Sequence, residues 1–327
     1  MEKKGGCKGK CENCKDKDFL PDSGKKFPDG AHYRIEVSGI ETAGILGAVV
    51  EEAKKQKIPI HRAIATVKGS AFYSDEQLAA LAHLAAKEKI EVIICPWKLA
   101  GLVFENPNRI FSNLRLTDEE IEKYLSEIDR CIKLGFRGFL VWDKDVLEFL
   151  NYKRQKGGLP SDIIFKLSTF ANNANSLNFV SAVRRGADTI NTANGLSLEE
   201  LARARFWTPK RVKLDVHITF WQQIIQIIMP EKYVKPIVAV IPYDRIEDAP
   251  EIVRVASPVY FKFEAGAPGI SVYDVPRPGW TFKDLAEHKR KDVRTAAEIV
   301  KTIMEKYPQL KLSDWSPADL RVPKVIS

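Results

Sequence analysis

Three stretches, Tyr33-Arg34-Ile35-Glu36-Val37-Ser38, Val212-Lys213-Leu214-Asp215-Val216-His217-Ile218 and Val259-Tyr260-Phe261-Lys262-Phe263-Glu264, share one pattern. Polar or charged residues occupy every second position of a run otherwise fit for a buried strand. Side chains alternate along a strand, so each run has an apolar face and a chemically equipped one. Glu36, Asp215, His217, Lys262 and Glu264 stand on the equipped faces and are the candidate catalytic residues. Two chemistries suit them. Lys262, if desolvated with a depressed pKa, is a Schiff-base nucleophile or a general base. Alternatively Glu36, Asp215, His217 and Glu264 hold a divalent metal that polarises a carbonyl.

Other residues are placed to bind rather than react. Asp143 ends one β-rich run, Lys166 and Ser168 lie in the next, and Asn191 closes a third. Asn172, Asn173 and Asn175 follow Phe170-Ala171 and can orient a polar substrate by hydrogen bonds or serve the next helix as caps. In Ala265-Gly266-Ala267-Pro268-Gly269, Gly266 and Gly269 allow a backbone to approach an anion closely.

Stepping along the chain, eight β-rich runs begin near Tyr33, Arg62, Val92, Gly138, Ile163, Asp188, Val212 and Val259, and most are followed by a helical pattern. Ser74…Gln77, Thr117…Glu120 and Ser197…Glu200 have the spacing of capping boxes, and so mark helix starts. Strand–helix alternation implies a parallel sheet, and eight units in 327 residues fit an α/β fold of the (β/α)₈ TIM-barrel type. No Gly-x-Gly-x-x-Gly opens the first βα turn, which counts against a dinucleotide-binding sheet. The expected organisation is a polar arm over residues 1–30 and a barrel over 31–327. An insertion at about 219–256 on the catalytic face would act as a lid or an oligomer contact. In such a barrel the polar set points into the lumen. A lumen without a function is filled mainly by Val, Ile and Leu, and buried charges are costly unless paired. The set therefore predicts a solvated site at the carboxyl ends of the strands. The plainer reading is ion pairs that plug the barrel, with Arg34 and Lys213 at its bottom.

Composition sets outer limits. Apolar residues are 45% and charged residues 29%, which excludes a disordered or fibrous chain. Lys and Arg number 51 against 43 Asp and Glu, a net +8 that suits an anionic ligand or simply solubility. The N-terminus lacks the apolar core of a secretory signal. The apolar stretch Ile218–Ile241 is interrupted by glutamines, lysines and prolines, so no membrane span is expected and the protein reads as cytoplasmic.

Five cysteines do not make a disulfide framework. Cys7, Cys11 and Cys14 are spaced for an iron–sulfur cluster, or for zinc with a fourth ligand from elsewhere. Lys8, Lys10 and Lys15 would lower their thiol pKa values. Cys95, ending the third run, is the candidate fourth ligand if the arm folds over the barrel mouth. The competing reading is a reducible arm. Cys131 lies on an apolar helix face and is expected in the core.

Phe165-Lys166-Leu167-Ser168-Thr169-Phe170-Ala171-Asn172, Gly186-Ala187-Asp188-Thr189-Ile190-Asn191 and Leu196-Ser197-Leu198-Glu199-Glu200-Leu201 resemble the barrel half of peptidase family U-32, the collagenase-like proteins. Leu214-Asp215-Val216-His217 and Pro258 through Phe263 resemble a divergent branch of it. The resemblance implies a TIM barrel. Through family members understood as iron–sulfur hydroxylation proteins, it also implies action on RNA or on a quinone precursor. The family's cysteine quartet lies in the second half of its barrel, whereas this chain has no cysteine beyond Cys131, so no cluster ligand is carried over. No Ser/His/Asp, Cys/His or His-Glu-x-x-His arrangement supports a peptidase. The expected function is lyase, aldolase or isomerase chemistry on a small polar, anionic substrate. The alternatives are an iron–sulfur protein acting on RNA or a cofactor precursor, and a non-catalytic binding barrel.

Overall fold

The computed structural model describes residues 20–96, 117–171, 173–221, 242–264 and 281–325. Among the described residues strands and helices alternate, save that two strands precede the seventh helix. Strand β1 (Tyr33–Ile40) leads to α1 (Ala43–Gln56), β2 (Arg62–Ala65) to α2 (Asp75–Lys87), β3 (Glu91–Ile94) to α3 (Asp118–Lys133), and β4 (Gly138–Val141) to α4 (Lys144–Gln155). Then β5 (Ile164–Leu167) leads to α5 (Ser176–Arg184), and β6 (Thr189–Asn191) to α6 (Leu198–Trp207). Strand β7 (Lys213–Trp221) and the short β8 (Pro242–Asp244) lead to α7 (Ala249–Ala256), and β9 (Val259–Glu264) leads to α8 (Phe282–Lys306). All strands but β8 run parallel. Neighbours pair in sequence from β1 to β7, and β9 closes the ring by pairing with both β7 and β1. This is the (β/α)₈ barrel expected from the alternation.

The helices start where side chains can satisfy orphan backbone donors. Capping boxes form at Ser74–Gln77, Thr117–Glu120 and Ser197–Glu200, as their spacing predicts, and also at Thr281–Asp284. The apolar strand faces point outward. Ile35, Val37, Leu214, Val216, Phe261 and Phe263 join helix residues such as Leu46, Val49, Val293 and Ala296 in one buried layer. Each buried Val, Leu, Ile or Phe side chain of this layer stabilises the fold by about 1.5–3 kcal/mol. Cys131 is in this layer.

Of the segment expected as an insertion, residues 222–241 lie outside the described residues. Strand β8 pairs antiparallel with the end of β7. Helix α7 buries Ile252, Val253, Val255 and Ala256 and lies between α6 and α8, so it is the barrel's own seventh helix. Among the described residues no helix is long and apolar enough to cross a membrane.

Two chain segments cross the amino-terminal face. Ser23 N–H donates to the Arg254 carbonyl at 2.8 Å, and Lys25 Nζ donates to the carbonyls of Arg205 (2.7 Å) and Thr208 (2.8 Å), closing the C-terminal ends of α7 and α6. The C-terminal tail follows, with Ser313 N–H on the Tyr33 carbonyl at 3.1 Å. Gly186-Ala187-Asp188 serves this same face. Asp188 accepts from Arg154 (2.6 Å) and from Phe165 N–H (2.9 Å), fastening the start of β5. Gly186 has φ +99°, and a Cβ there would lie 2.1 Å from Asn151 Cγ. Gly186→Ala is expected to cost about 1–3 kcal/mol of stability, from a forbidden φ and overpacking together. A urea melt with an unchanged midpoint would contradict this.

His61 ties the tail to the barrel and gives a pH signature. Its Nδ1 accepts from Ile35 N–H at 3.0 Å, so Nε2 carries the proton and faces the Asp314 carbonyl at 3.1 Å. Burial lowers its pKa to about 3, with Arg34 adding to the effect. His217 is lowered to about 4 by burial and Lys262, and His32 is lowered in the same sense. The unfolded chain protonates its histidines near pH 6.5 while the fold does not. The stability these groups contribute is therefore complete above pH 6.5 and is lost as pH falls toward 4. His61 and His217 each contribute a slope of about 1.4 kcal/mol per pH unit in that window, and His32 acts in the same direction. Glu41, whose carboxyl is raised by burial, works against the slope. Urea midpoints are expected to fall from pH 6.5 to 5, and to fall less steeply in His61→Gln. A flat profile would reject the assignment of these histidines as buried and neutral.

Candidate functional site

The strand parity read from the sequence holds: Arg34, Glu36, Lys166, Asp215, His217, Tyr260 and Lys262 are all buried, and the bonds among them run through the lumen. Depth then divides them. In the middle of the lumen Lys166 Nζ lies 2.6 and 2.7 Å from the two Glu36 oxygens and 3.0 Å from Asp215 Oδ2. Arg62 Nη1 donates to Glu36 at 3.2 Å and to Asp215 at 3.1 Å, and its Nε donates to Glu91. The Thr189 hydroxyl also donates to Asp215. Burial pushes the Asp215 carboxyl up, but Lys166 and Arg62 outweigh it and hold it below its ordinary value. Glu36, Lys166 and Asp215 have no solvent exposure at all. These three were expected to line a solvated site; they form a closed, mutually paired layer instead.

Above this layer, at the carboxyl ends of β7 and β9, lies a smaller group. Glu264 Oε2 is 2.6 Å from Lys262 Nζ and 3.1 Å from His217 Nε2. Here the side chains regain some access, 6% for Lys262 and 12% for Glu264. Burial raises the Glu264 carboxyl, yet Lys262 and His217 hold it well below the usual range. Burial lowers Lys262, yet Glu264 and Glu36 outweigh it, so the ammonium is raised rather than depressed. That corrects the expectation of a depressed amine: Lys262 is a fixed positive charge. His217 is neutral. A carboxylate only accepts, so Nε2 carries the imidazole proton and Nδ1 the lone pair.

Around this group the mouth holds polar atoms left over from folding. Ser38 Oγ (β1), Trp142 Nε1 (after β4), Asn173 Oδ1 (after β5) and Asn191 Oδ1 (end of β6) are buried with no hydrogen-bond partner among the described residues. Each such atom costs about 1–3 kcal/mol if nothing meets it, and four on one face ask for an explanation. Asn173 is also structural, because its Nδ2 donates to the Ser168 (2.8 Å) and Asn191 (2.9 Å) carbonyls. The other binding candidates separate. Asp143 caps α4, accepting from Asp145 N–H at 2.7 Å and Val146 N–H at 3.0 Å. Asn175 caps α5. Ser168 is buried beneath the Asn173 loop. Asn172, Gly266 and Gly269 lie outside the described residues.

A metal finds the lumen carboxylates already engaged, with Glu36 and Asp215 bonded to Lys166 and Arg62, and Glu264 to Lys262 and His217. Among the described residues no group of three His, Cys, Asp or Glu is arranged to hold an ion. Cys7, Cys11 and Cys14 lie outside the described residues. Cys95 is fully buried and burial raises its thiol. It ends β3 at the mouth, while the chain at Leu20, held by Arg254, lies on the opposite face. Sequence reasoning missed Arg62, Glu91 and Thr189. It also missed Glu41, which accepts from Val67 N–H (2.8 Å) and the Tyr73 hydroxyl to bind the first two βα loops together.

No protein-family model and no curated protein matches this chain. Solved structures of similar architecture include an aldolase from Escherichia coli K12, at 15% identity over 85% of this chain and 91% of that one, with a TM-score of 0.42. A U32 peptidase aligns at 15% identity over 73% and 95%, with a TM-score of 0.45. D-Psicose 3-epimerase from Clostridium cellulolyticum H10 aligns at 13% identity over 82% and 99%, with a TM-score of 0.43. At such distances the likeness is one of barrel architecture and assigns no activity to this chain.

Proposed function

We propose that this protein is a (β/α)₈-barrel enzyme that moves a proton at a carbon beside a carbonyl of a small polar, anionic substrate. That step is shared by lyases, aldolases and isomerases. The observation that supports it is the coincidence at one strand end of a neutral imidazole, a fixed ammonium and a ring of unpartnered buried polar atoms. The carboxyl ends are also where barrel enzymes build their sites.

The chemistry follows from the charges. His217 Nδ1 accepts the proton from carbon. Lys262 faces the oxygen on which negative charge develops, where a preorganised cation is most effective. Glu264 holds both in place. In the free protein Lys262 helps to keep the imidazole acidic. A substrate carboxylate or phosphate beside Lys262 offsets that charge, so His217 becomes a stronger base when the substrate is bound. Ser38 and Asn191 are left to orient the substrate's polar groups.

The test is proton exchange in D₂O. A panel of 2-oxo acids and phosphorylated hydroxyketones is incubated with the protein, and loss of the α-C–H signal is followed by NMR. Exchange of at least one compound, absent without protein, is the expected result. No exchange, together with no ligand-induced rise in melting temperature across the panel, would reject the reading.

A further inference from the structure

The opposite face of the barrel carries a feature that the proposed reaction does not use. Beneath the amino-terminal ends of the strands is a cavity of about 730 Å³, closed on one side by Gly24–Pro28. Eight basic and three acidic side chains line it. Folding consumes all three acids: Glu91 binds Arg62, Asp319 binds Arg34 at 2.6 Å, and Asp188 binds Arg154 at 2.6 Å. Lys25 is committed to the carbonyls at the end of α6. Lys26, Lys210, Arg211, Lys213 and Arg321 remain. Their side chains make no hydrogen bond or ion pair among the described residues, yet they converge on one concavity.

Lys213 is the most telling of these. It is the first residue of β7, points into the lumen and is half-buried between the Arg34–Asp319 and Arg62–Glu91 pairs. Burial lowers its pKa, so a counter-charge beside it would be strongly favourable. A barrel's amino-terminal face ordinarily serves stability, and stability offers no reason to gather around a cavity five cations that form no ion pair among the described residues, with Lys213 only partly offset by Glu91 and Asp319.

We infer that this cavity is a second ligand site, for a small polyanion carrying two or more phosphate groups. Its volume lies in the range of small-molecule and cofactor sites. Its charge is concentrated in a hollow with Lys213 at the floor, whereas a nucleic-acid surface spreads cations along a backbone track. Residues 1–19 contain six lysines against four acids, so by composition that stretch adds positive rather than negative charge to the chain. Phe27 and Tyr260 meet edge to face at the wall, ring centroids 5.4 Å apart, and give the hollow an apolar side.

Inorganic tripolyphosphate, titrated calorimetrically into the full chain at physiological ionic strength, tests this. One-to-one saturable binding is expected. Lys213→Met is expected to weaken it about tenfold, the worth of one charge-assisted contact, and Lys210→Glu with Arg211→Glu by more. Lys210 and Arg211 are exposed, so the double variant keeps the test valid should Lys213→Met fail to fold. Lys301→Glu, on the exposed face of α8, is expected to leave the affinity unchanged. Absence of saturable binding would overturn the inference, as would insensitivity to both variants or equal weakening by Lys301→Glu. Single-stranded RNA binding that is lost in the double variant but not displaced by tripolyphosphate would make the face a nucleic-acid surface instead. The mouth variants do not enter this test, so its outcome is independent of the proton-transfer reading.

Discussion

Lys166→Met is expected to lower the unfolding free energy by about 3–5 kcal/mol, the usual cost of removing one partner from a buried ion pair. Lys166 contacts both oxygens of Glu36 and one of Asp215, with all three side chains sealed from solvent. Met fills a similar volume, so the packing loss is small and the electrostatic loss dominates. Two carboxylates are then left facing each other with only Arg62 between them. At neutral pH one of them is expected to take up a proton, so the variant should be relatively more stable in mild acid than the parent. Adding Glu36→Gln and Asp215→Asn removes the stranded charges and is expected to recover a large part of the loss. Urea unfolding of the single and triple variants measures both. A single-variant loss under about 1 kcal/mol would mean that the pair is hydrated rather than sealed.

The barrel was legible because its signals are local and repeated. Alternating apolar residues from Tyr33 to Val37 and from Val212 to Ile218 announce strands, and Ser74…Gln77, Thr117…Glu120 and Ser197…Glu200 announce helices. The inward set was legible for the same reason. Depth within the lumen was not. The strands tilt as the barrel closes. One hydrogen-bonded row therefore runs from Asn191 at the mouth through Asp215 to Tyr260 and Arg34 at the other end. Nothing along β7 itself says that Asp215 is sealed while His217, two residues on, meets the mouth. Arg62 and Glu91 escaped notice because each opens a four-residue strand, which leaves two inward positions and no visible alternation. Both face inward by the same parity, and a charged residue starting such a strand is the cue that finds them. Asp143 and Asn175 show the converse. Polar residues after a strand suit a ligand or a cap equally, and only the backbone of the next helix decides.

His217→Ala is expected to slow proton exchange by about 10²–10⁴-fold, the range for loss of a general base, with the fold retained. Lys262→Met is expected to cost about 10²–10³-fold through the lost oxyanion contact, and it also makes a second mark. In the free protein the acid limb of kcat/KM reports His217, whose pKa burial and Lys262 together bring to about 4. Removing the Lys262 charge removes one of those two causes, so the acid limb of Lys262→Met moves to higher pH while the maximum falls. A purely structural role for Lys262 would lower the rate without moving the limb. In the parent protein the limb of kcat should lie above that of kcat/KM, because the bound anion offsets Lys262 and makes the imidazole more basic. Equal limbs would mean that the anionic group binds away from Lys262. An unchanged rate in His217→Ala would remove the imidazole from the reaction altogether and leave Glu264 as the remaining acceptor at the mouth.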